Sequence, residues 1–138
     1  MVILVQNSIG HHGLDIHTHG VENTAINIEG DNVITICSIY RRPLSPRGAM
    51  VLDLLRILRN RNHCIIVGNF NAKHRLWNHL SVGNPVGTEL FKFVSNCGFV
   101  ITAPTEATCL RRTGFVWPSI SPCHNPLRAL KRLQSRRL

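Results

Sequence analysis

The stretch that decides the fold is CIIVGNFNAKHRLW, residues 64–77. Its first four residues are all apolar, which is typical of a strand buried on both faces in a layered fold. Gly68 ends the apolar run, and two amide side chains follow at Asn69 and Asn71. One interpretation is an Asn-rich turn. The other is a functional site, because a core strand holds the side chains at its end rigidly over a cleft.

The flanking sequence predicts strands that alternate with helices. Apolar and β-branched runs predict strands at 2–5, 21–28, 33–39, 65–67 and 99–101, and helical spacing predicts helices at 48–60 and 88–96. A Gly-Asp-Asn turn at 30–32 joins the second and third strands into an antiparallel hairpin. Strands mixed with helices in this order indicate an α/β layered fold.

The same patterns predict which side chains form the core. The apolar stripe expected on the first helix consists of Met50, Val51, Leu54, Leu55 and Leu58. The residues expected to be buried are Ile36, Leu54, Leu58, Ile65, Ile66 and Phe91, and Trp77 is expected to pack its loop against them. Cys37 and Cys64 lie inside apolar runs and are expected to be small buried hydrophobic residues.

The positive charge of the chain is concentrated near its C-terminus. The net charge is +9 over 138 residues. Residues 1–106 hold nine basic and all seven acidic residues, whereas 107–138 hold seven basic and no acidic ones. A basic surface suggests contact with a polyanion, but here the tail carries it. We therefore expect one domain over residues 1–120 and a basic tail, 121–138, outside that domain.

Several other classes of protein are disfavoured. No run of 18 apolar residues suggests a membrane span, and the apolar run at 2–5 is too short for a signal peptide, so we expect an intracellular protein, nuclear or cytoplasmic. The eight histidines raise a zinc hypothesis. They and the five cysteines lack the paired spacings of structural zinc sites, so surface and loop histidines are the favoured interpretation.

Five segments in order resemble a known family. GNFNAKHRLW, residues 68–77, resembles the GDFNAHH..W motif of the endonuclease/exonuclease/phosphatase family, in particular the endonuclease domains of jockey-like retrotransposons that lack long terminal repeats. SIYRRP at 38–43 is similar to the family's SVYRPP strand end, and NPVGTEL at 84–90 to its N-P-x-G-x-x-L helix entry. Pro-Thr at 104–105 and Trp-Pro-Ser at 117–119 extend the resemblance, which covers about residues 2–120.

The resemblance implies a fold, an activity and partners. The fold would be part of a four-layer α/β sandwich, with two mixed β-sheets flanked by helices. The family hydrolyses a DNA phosphodiester with a divalent metal, usually Mg²⁺, so the implied partner is DNA, without a membrane or a small-molecule cofactor. Carried over position by position, the catalytic candidates are Tyr40, Asn69 and Asn71. The candidates for contact with phosphate or nucleic acid are Lys73, His74 and Arg75.

This sequence departs from the family's pattern at several catalytic positions. Asn69 stands where the motif has Asp, and an amide cannot take a proton from water at neutral pH. Met1 follows the point where the family has an early Asn and a metal-binding Glu, and no Ser-Asp-His follows Glu106, the last acidic residue. We therefore expect an incomplete and inactive copy that does not bind Mg²⁺, with no residue of this chain assigned as a metal ligand.

Alternatives remain open for individual residues and for the whole chain. Tyr40 matches a phosphate-facing position but also suits a strand end, and Lys73 and His74 could equally lie on a solvated loop. Three functions compete: an active nuclease, a non-catalytic nucleic-acid-binding protein acting through its basic tail, and an expressed relic without a selected activity. The missing catalytic groups act as a unit, which disfavours the first.

Overall fold

The computed structural model describes residues 1–79, 81–103 and 127–129. The elements, in chain order, are β1 (His11–Leu14), β2 (Val21–Ile28), β3 (Ile34–Arg41), α1 (Ala49–Leu58), β4 (Cys64–Asn69), α2 (Pro85–Cys97) and β5 (Leu127–Ala129). The predicted hairpin, the strand of the 64–77 stretch and both predicted helices are confirmed, with bounds that differ by at most three residues.

The strands form one mixed sheet in the order β1-β2-β3-β4-β5. β1 to β3 are antiparallel neighbours, β3 and β4 are parallel, and β5 runs antiparallel to β4. The parallel pair needs a crossover connection, and α1 supplies it. Within the described part of the chain there is a single sheet with two helices. The four-layer sandwich with two sheets therefore stays a prediction, as does the domain boundary at residue 120.

One face of the sheet packs against the helices and forms the core. On β3 the buried side chains alternate strictly: Thr35, Cys37, Ile39 and Arg41 are buried, and the residues between them are half-buried. Leu54 and Leu90 meet this face from α1 and α2. Neither described helix is long and apolar enough to cross a membrane.

The core differs from the prediction at several positions. Leu54 and Ile66 are buried as predicted, but the other four residues expected in the core are half-buried: Ile36, Leu58, Ile65 and Phe91. The buried stripe of α1 is Met50, Asp53, Leu54 and Ile57. Leu55 is 50% exposed, so the helix is rotated away from the predicted stripe. The rotation buries Asp53, a carboxylate that lies outside the predicted stripe.

Two short apolar runs do not form the predicted strands. At 2–5 no strand pairs with the sheet, and Val2 and Leu4 are 77% and 91% exposed. At 99–101 the chain packs over an apolar cleft between the helices, with the Phe99 ring 5.4 Å from that of Phe93. Phe99 and Ile101 are half-buried against the core, whereas Val100 is 59% exposed, so packing from a loop accounts for two of the three apolar residues.

The buried cysteines behave as the sequence predicts. Cys37 and Cys64 are buried in the core cluster, whereas Cys97 is exposed at the end of α2. Burial, reinforced by the neighbouring Cys64 thiol, raises the pKa of Cys37 to about 12. Because the thiolate is the reactive form, Cys37 is a packing residue at neutral pH.

Candidate functional site

Three polar side chains form a row across one end of the sheet. Tyr40, near the end of β3, is the register partner of Glu22 on β2 and of Asn69 at the end of β4. Residues that face each other across neighbouring strands project to the same side of the sheet. This strand-end row of Glu22, Tyr40 and Asn69 therefore lies on the face of the sheet opposite the helices. The structure thus brings together two of the predicted catalytic residues, Tyr40 and Asn69.

Asn69 and Asn71 build a tight turn directly after the row. The Asn69 side-chain oxygen accepts a hydrogen bond from the backbone N–H of Asn71 at 2.9 Å. Asn71 has a φ of 48°, a left-handed conformation that asparagine tolerates better than most residues. Its side-chain Nδ2 donates to the carbonyl oxygen of Arg41 at 2.6 Å. The turn is therefore tied to the end of β3, and one Nδ2 hydrogen of Asn71 is left for another acceptor.

The loop that follows presents positive charge outward and aromatic rings inward. Phe70 and Ala72 are buried, whereas Lys73 and Arg75 are exposed. The His74 ring stacks on Phe91 at 4.3 Å with an interplanar angle of 8°. Its Nδ1 accepts a hydrogen bond from the backbone N–H of Leu76 at 3.4 Å. His74 thus packs the loop onto α2, and contact of Lys73, His74 and Arg75 with phosphate stays a prediction.

Trp77 closes the same aromatic cluster. Its ring lies 5.2 Å from that of His74 and 6.4 Å from that of Phe91. Trp77 is half-buried against the core, which confirms the packing role predicted for it. Two ring contacts therefore tie the loop to Phe91 of α2.

Glu22 belongs to the row, although the sequence had not singled it out. The predicted hairpin turn is centred on Asp31, and a hairpin symmetric about that residue places Glu22 opposite Tyr40, as the register shows. Its carboxylate accepts hydrogen bonds from Arg42 at 2.6 and 2.9 Å. Both side chains are more than half exposed, so this ion pair adds at most about 1 kcal/mol of stability.

A second arginine lies beneath the same strand end. Arg41 is only 2% exposed. Its Nη2 donates to the carbonyl oxygen of Ser45 at 2.7 Å, whereas Nε and Nη1 have no hydrogen-bond partner. Arg41 forms no ion pair with a carboxylate of the described residues. A guanidinium stays charged at any physiological pH, so it adds positive potential to this end of the sheet.

The described donor groups do not fit a divalent-metal site. Hard cations such as Mg²⁺ prefer several oxygen ligands, carboxylates above all. Over residues 1–79 and 81–103, no group of three or more His, Cys, Asp or Glu side chains could hold a metal ion. Glu22 contributes a carboxylate to the row, and Arg42 already engages it.

The fold is shared with an endonuclease domain of known structure. The structure matches the endonuclease domain of TRAS1, a telomere-specific non-LTR retrotransposon, with a TM-score of 0.60 and 19% sequence identity. The match covers 71% of this chain and 46% of that domain, so the chain spans less than half the length of its structural neighbour.

Residues 34–120 match the endonuclease-reverse transcriptase family, and the chain belongs to that family. No curated protein sequence matches the chain. The family match confirms the resemblance drawn from residues 68–77 and its neighbours, while the narrower jockey-like assignment stays a prediction.

Proposed function

We propose that this domain binds the sugar–phosphate backbone of nucleic acid at the strand-end row and does not cleave it. The proposal rests on the position of Asn69 in the structure. It ends β4 beside Tyr40, where the family's motif has an aspartate, and its amide oxygen is engaged by the Asn71 N–H. An amide is not a base at neutral pH, so Asn69 can help to shape the turn but cannot deprotonate an attacking water.

Charge around the row supports binding to a polyanion. Lys73 and Arg75 are exposed on the loop after the row, and Arg41 lies buried under it. Arg42 offsets the negative charge of Glu22. Side-chain ammonium and guanidinium groups supply the sequence-independent part of nucleic-acid affinity by neutralising phosphates. The domain itself therefore offers a phosphate-binding surface that the near-neutral charge of residues 1–106 does not reveal.

The charge distribution favours a second candidate function, binding through the tail. Residues 107–138 carry seven basic and no acidic side chains. If this tail neutralised even about four phosphates, the slope of log affinity against log salt would be near −3.6. The tail and the strand-end row are separable, because they can be altered independently in the full-length chain.

The absence of cleavage is tested with supercoiled plasmid in magnesium or manganese. We expect no nicking above background from the wild type, and no rescue by Asn69→Asp, because restoring one carboxylate leaves the other catalytic groups missing and such groups act together. The comparison set is the wild type, Asn69→Asp and Asn71→Ala. Wild-type nicking that is lost both in Asn71→Ala and on chelation would contradict the proposal and make Glu22 a candidate metal ligand.

The binding surface is located by salt titration of affinity for a short duplex. We expect Lys73→Ala with Arg75→Ala to weaken binding and to reduce the salt slope by about 1.8, the value for two lost phosphate contacts. The matched control is Lys92→Ala with Arg59→Ala, two exposed residues away from the row, which should leave the slope nearly unchanged. A slope that falls only when the basic residues of 128–137 become serine would instead place binding in the tail.

A further inference from the structure

We infer that Asn84 is a positioning residue that holds the loop from Asn71 to Lys73 in the conformation in which it faces phosphate. The inference rests on the proposed function for its consequence in binding, and on the hydrogen bonds of Asn84 for its geometry. Asn84 lies immediately before α2, outside the strand-end row, and no role follows for it from the row alone.

The Asn84 side chain makes one hydrogen bond to its own helix and two to the loop, and its backbone N–H adds a third bond to the loop. Its Oδ1 accepts from the N–H of Gly87 at 2.7 Å, which caps α2. The same oxygen accepts from the N–H of Lys73 at 3.0 Å. Its Nδ2 donates to the carbonyl oxygen of Asn71 at 3.0 Å, and its backbone N–H donates to the carbonyl oxygen of Lys73 at 3.0 Å. The carbonyl oxygen of Asn84 accepts from the N–H of Thr88 at 3.1 Å and from Thr88 Oγ1 at 3.3 Å within α2. Two of the three side-chain bonds therefore serve the loop.

The contact between loop and helix is close enough to require a glycine in the first turn of α2. A Cβ added to Gly87 would lie 1.9 Å from the carbonyl oxygen and 2.4 Å from the carbonyl carbon of Lys73. Both atoms are backbone, so neither can move aside cheaply. The spacing of Asn84 and Gly87 thus places the capping side chain and the gap for the loop on the same turn.

Capping alone would not require asparagine at residue 84. Serine, threonine and aspartate cap helices about as well, since the cap uses an oxygen acceptor alone. The bond to the Asn71 carbonyl needs a donor, and the bond to the Lys73 N–H needs an acceptor on a side chain of the same length. Asparagine has both on one planar amide. On the other side, Asn71 is tied to Arg41, so the loop is held between β3 and α2.

The loop-holding role and the capping role separate in the variant Asn84→Ser. Serine keeps a cap on Gly87 but is too short to hold the loop. We expect far-UV circular dichroism and the amide exchange of Gly98, at the far end of α2, to stay as in the wild type. Exchange at the Lys73 amide should become about tenfold faster, as expected for the loss of one hydrogen bond. Affinity for a DNA duplex should fall about threefold, in line with part of the loss in Lys73→Ala with Arg75→Ala.

Two further variants decide the outcome. Asn84→Asp keeps an acceptor for the Lys73 N–H but loses the donor to the Asn71 carbonyl. Its Lys73 exchange rate should therefore lie between those of Asn84→Ser and the wild type. This rate is measured without DNA, because the added negative charge repels phosphate. Pro85→Ala perturbs the same first turn of α2 without touching the loop and should leave Lys73 exchange unchanged. Unaltered Lys73 exchange in Asn84→Ser would overturn the inference. If exchange responds but Lys73→Ala with Arg75→Ala binds DNA like the wild type, the proposed function fails and the positioning role stands.

Discussion

The variant Gly68→Ala is expected to be strongly destabilised, with a much lower urea midpoint than the wild type. Gly68 has a φ of 146°, and it lies in β4 beside Ile39 of β3. A Cβ at this position would come within 1.8 Å of the Ile39 carbonyl oxygen, 2.8 Å of its carbonyl carbon and 2.9 Å of its nitrogen. All three are backbone atoms of a central strand, so relief of the clash would require β3 and β4 to separate at the end that carries the site.

The expected loss is a large fraction of the total stability. Holding a residue other than glycine in such a conformation costs about 1–3 kcal/mol, and overpacking a filled site adds typically about 1–3 kcal/mol. Small domains have only about 5–15 kcal/mol in total. The matched control is Gly13→Ala in β1, where nothing lies within 4 Å of the added Cβ. Urea unfolding followed by circular dichroism measures both, and equal midpoints for the two variants would show that β4 is not packed as described.

The variant Asp53→Ala is expected to lose at least about 3 kcal/mol of stability, because three backbone N–H groups lose their acceptor. Asp53 is fully buried in α1. Its carboxylate accepts from the backbone N–H groups of His19 at 3.1 Å, Gly20 at 2.6 Å and Val21 at 3.2 Å. It also pairs with Arg56 at 3.0 Å. Alanine would leave the three amides of the segment entering β2 without an acceptor, and each costs about 1–3 kcal/mol.

Controls separate the backbone contacts from the ion pair. Arg56→Ala removes a partner that is 46% exposed and should cost less than about 1 kcal/mol. Asp15→Ala removes an exposed carboxylate and should have almost no effect. Urea titration gives the free energy of unfolding of each variant and so ranks the three losses of stability. An Arg56→Ala loss as large as that of Asp53→Ala would mean that the ion pair, and not the backbone amides, gives Asp53 its importance.

The parts of the fold that the sequence predicted are those with repeated local signals. The hairpin has alternating apolar residues and a Gly-Asp-Asn turn, and both helices have apolar side chains at helical spacing, so their existence follows from local pattern. The runs at 2–5 and 99–101 lack such repetition. A run of three or four apolar residues indicates only a tendency to be buried. In the structure Phe99 and Ile101 pack against the core from a loop, whereas Val100 is 59% exposed.

The functional and structural residues that the sequence did not predict are those whose hydrogen-bond partners are distant in the chain. In the sequence, Asp53 has the character of a surface residue of a helix. Its hydrogen bonds to the amides of residues 19–21 join segments more than 30 residues apart, and no local pattern predicts them. Tyr40 and Asn69 were found through motif resemblance, and their adjacency follows from the parallel pairing of β3 and β4. Asn84 belongs to a motif that the sequence analysis identified. Its hydrogen bonds to the loop could not be predicted, because they depend on how α2 packs beside the end of β4.

The strand order of the sheet also bears on how the chain folds during synthesis. Strands occupy the sheet in the order in which they are made, so each new strand can add to the edge formed by the strand before it. Contacts between neighbours in sequence close small loops and favour fast folding. Among β1 to β4, the step that waits longest is the parallel addition of β4, because α1 must form first. We therefore expect the hairpin of β2 and β3 to form before the strand-end row, and the site to be completed only when α2 docks onto the loop.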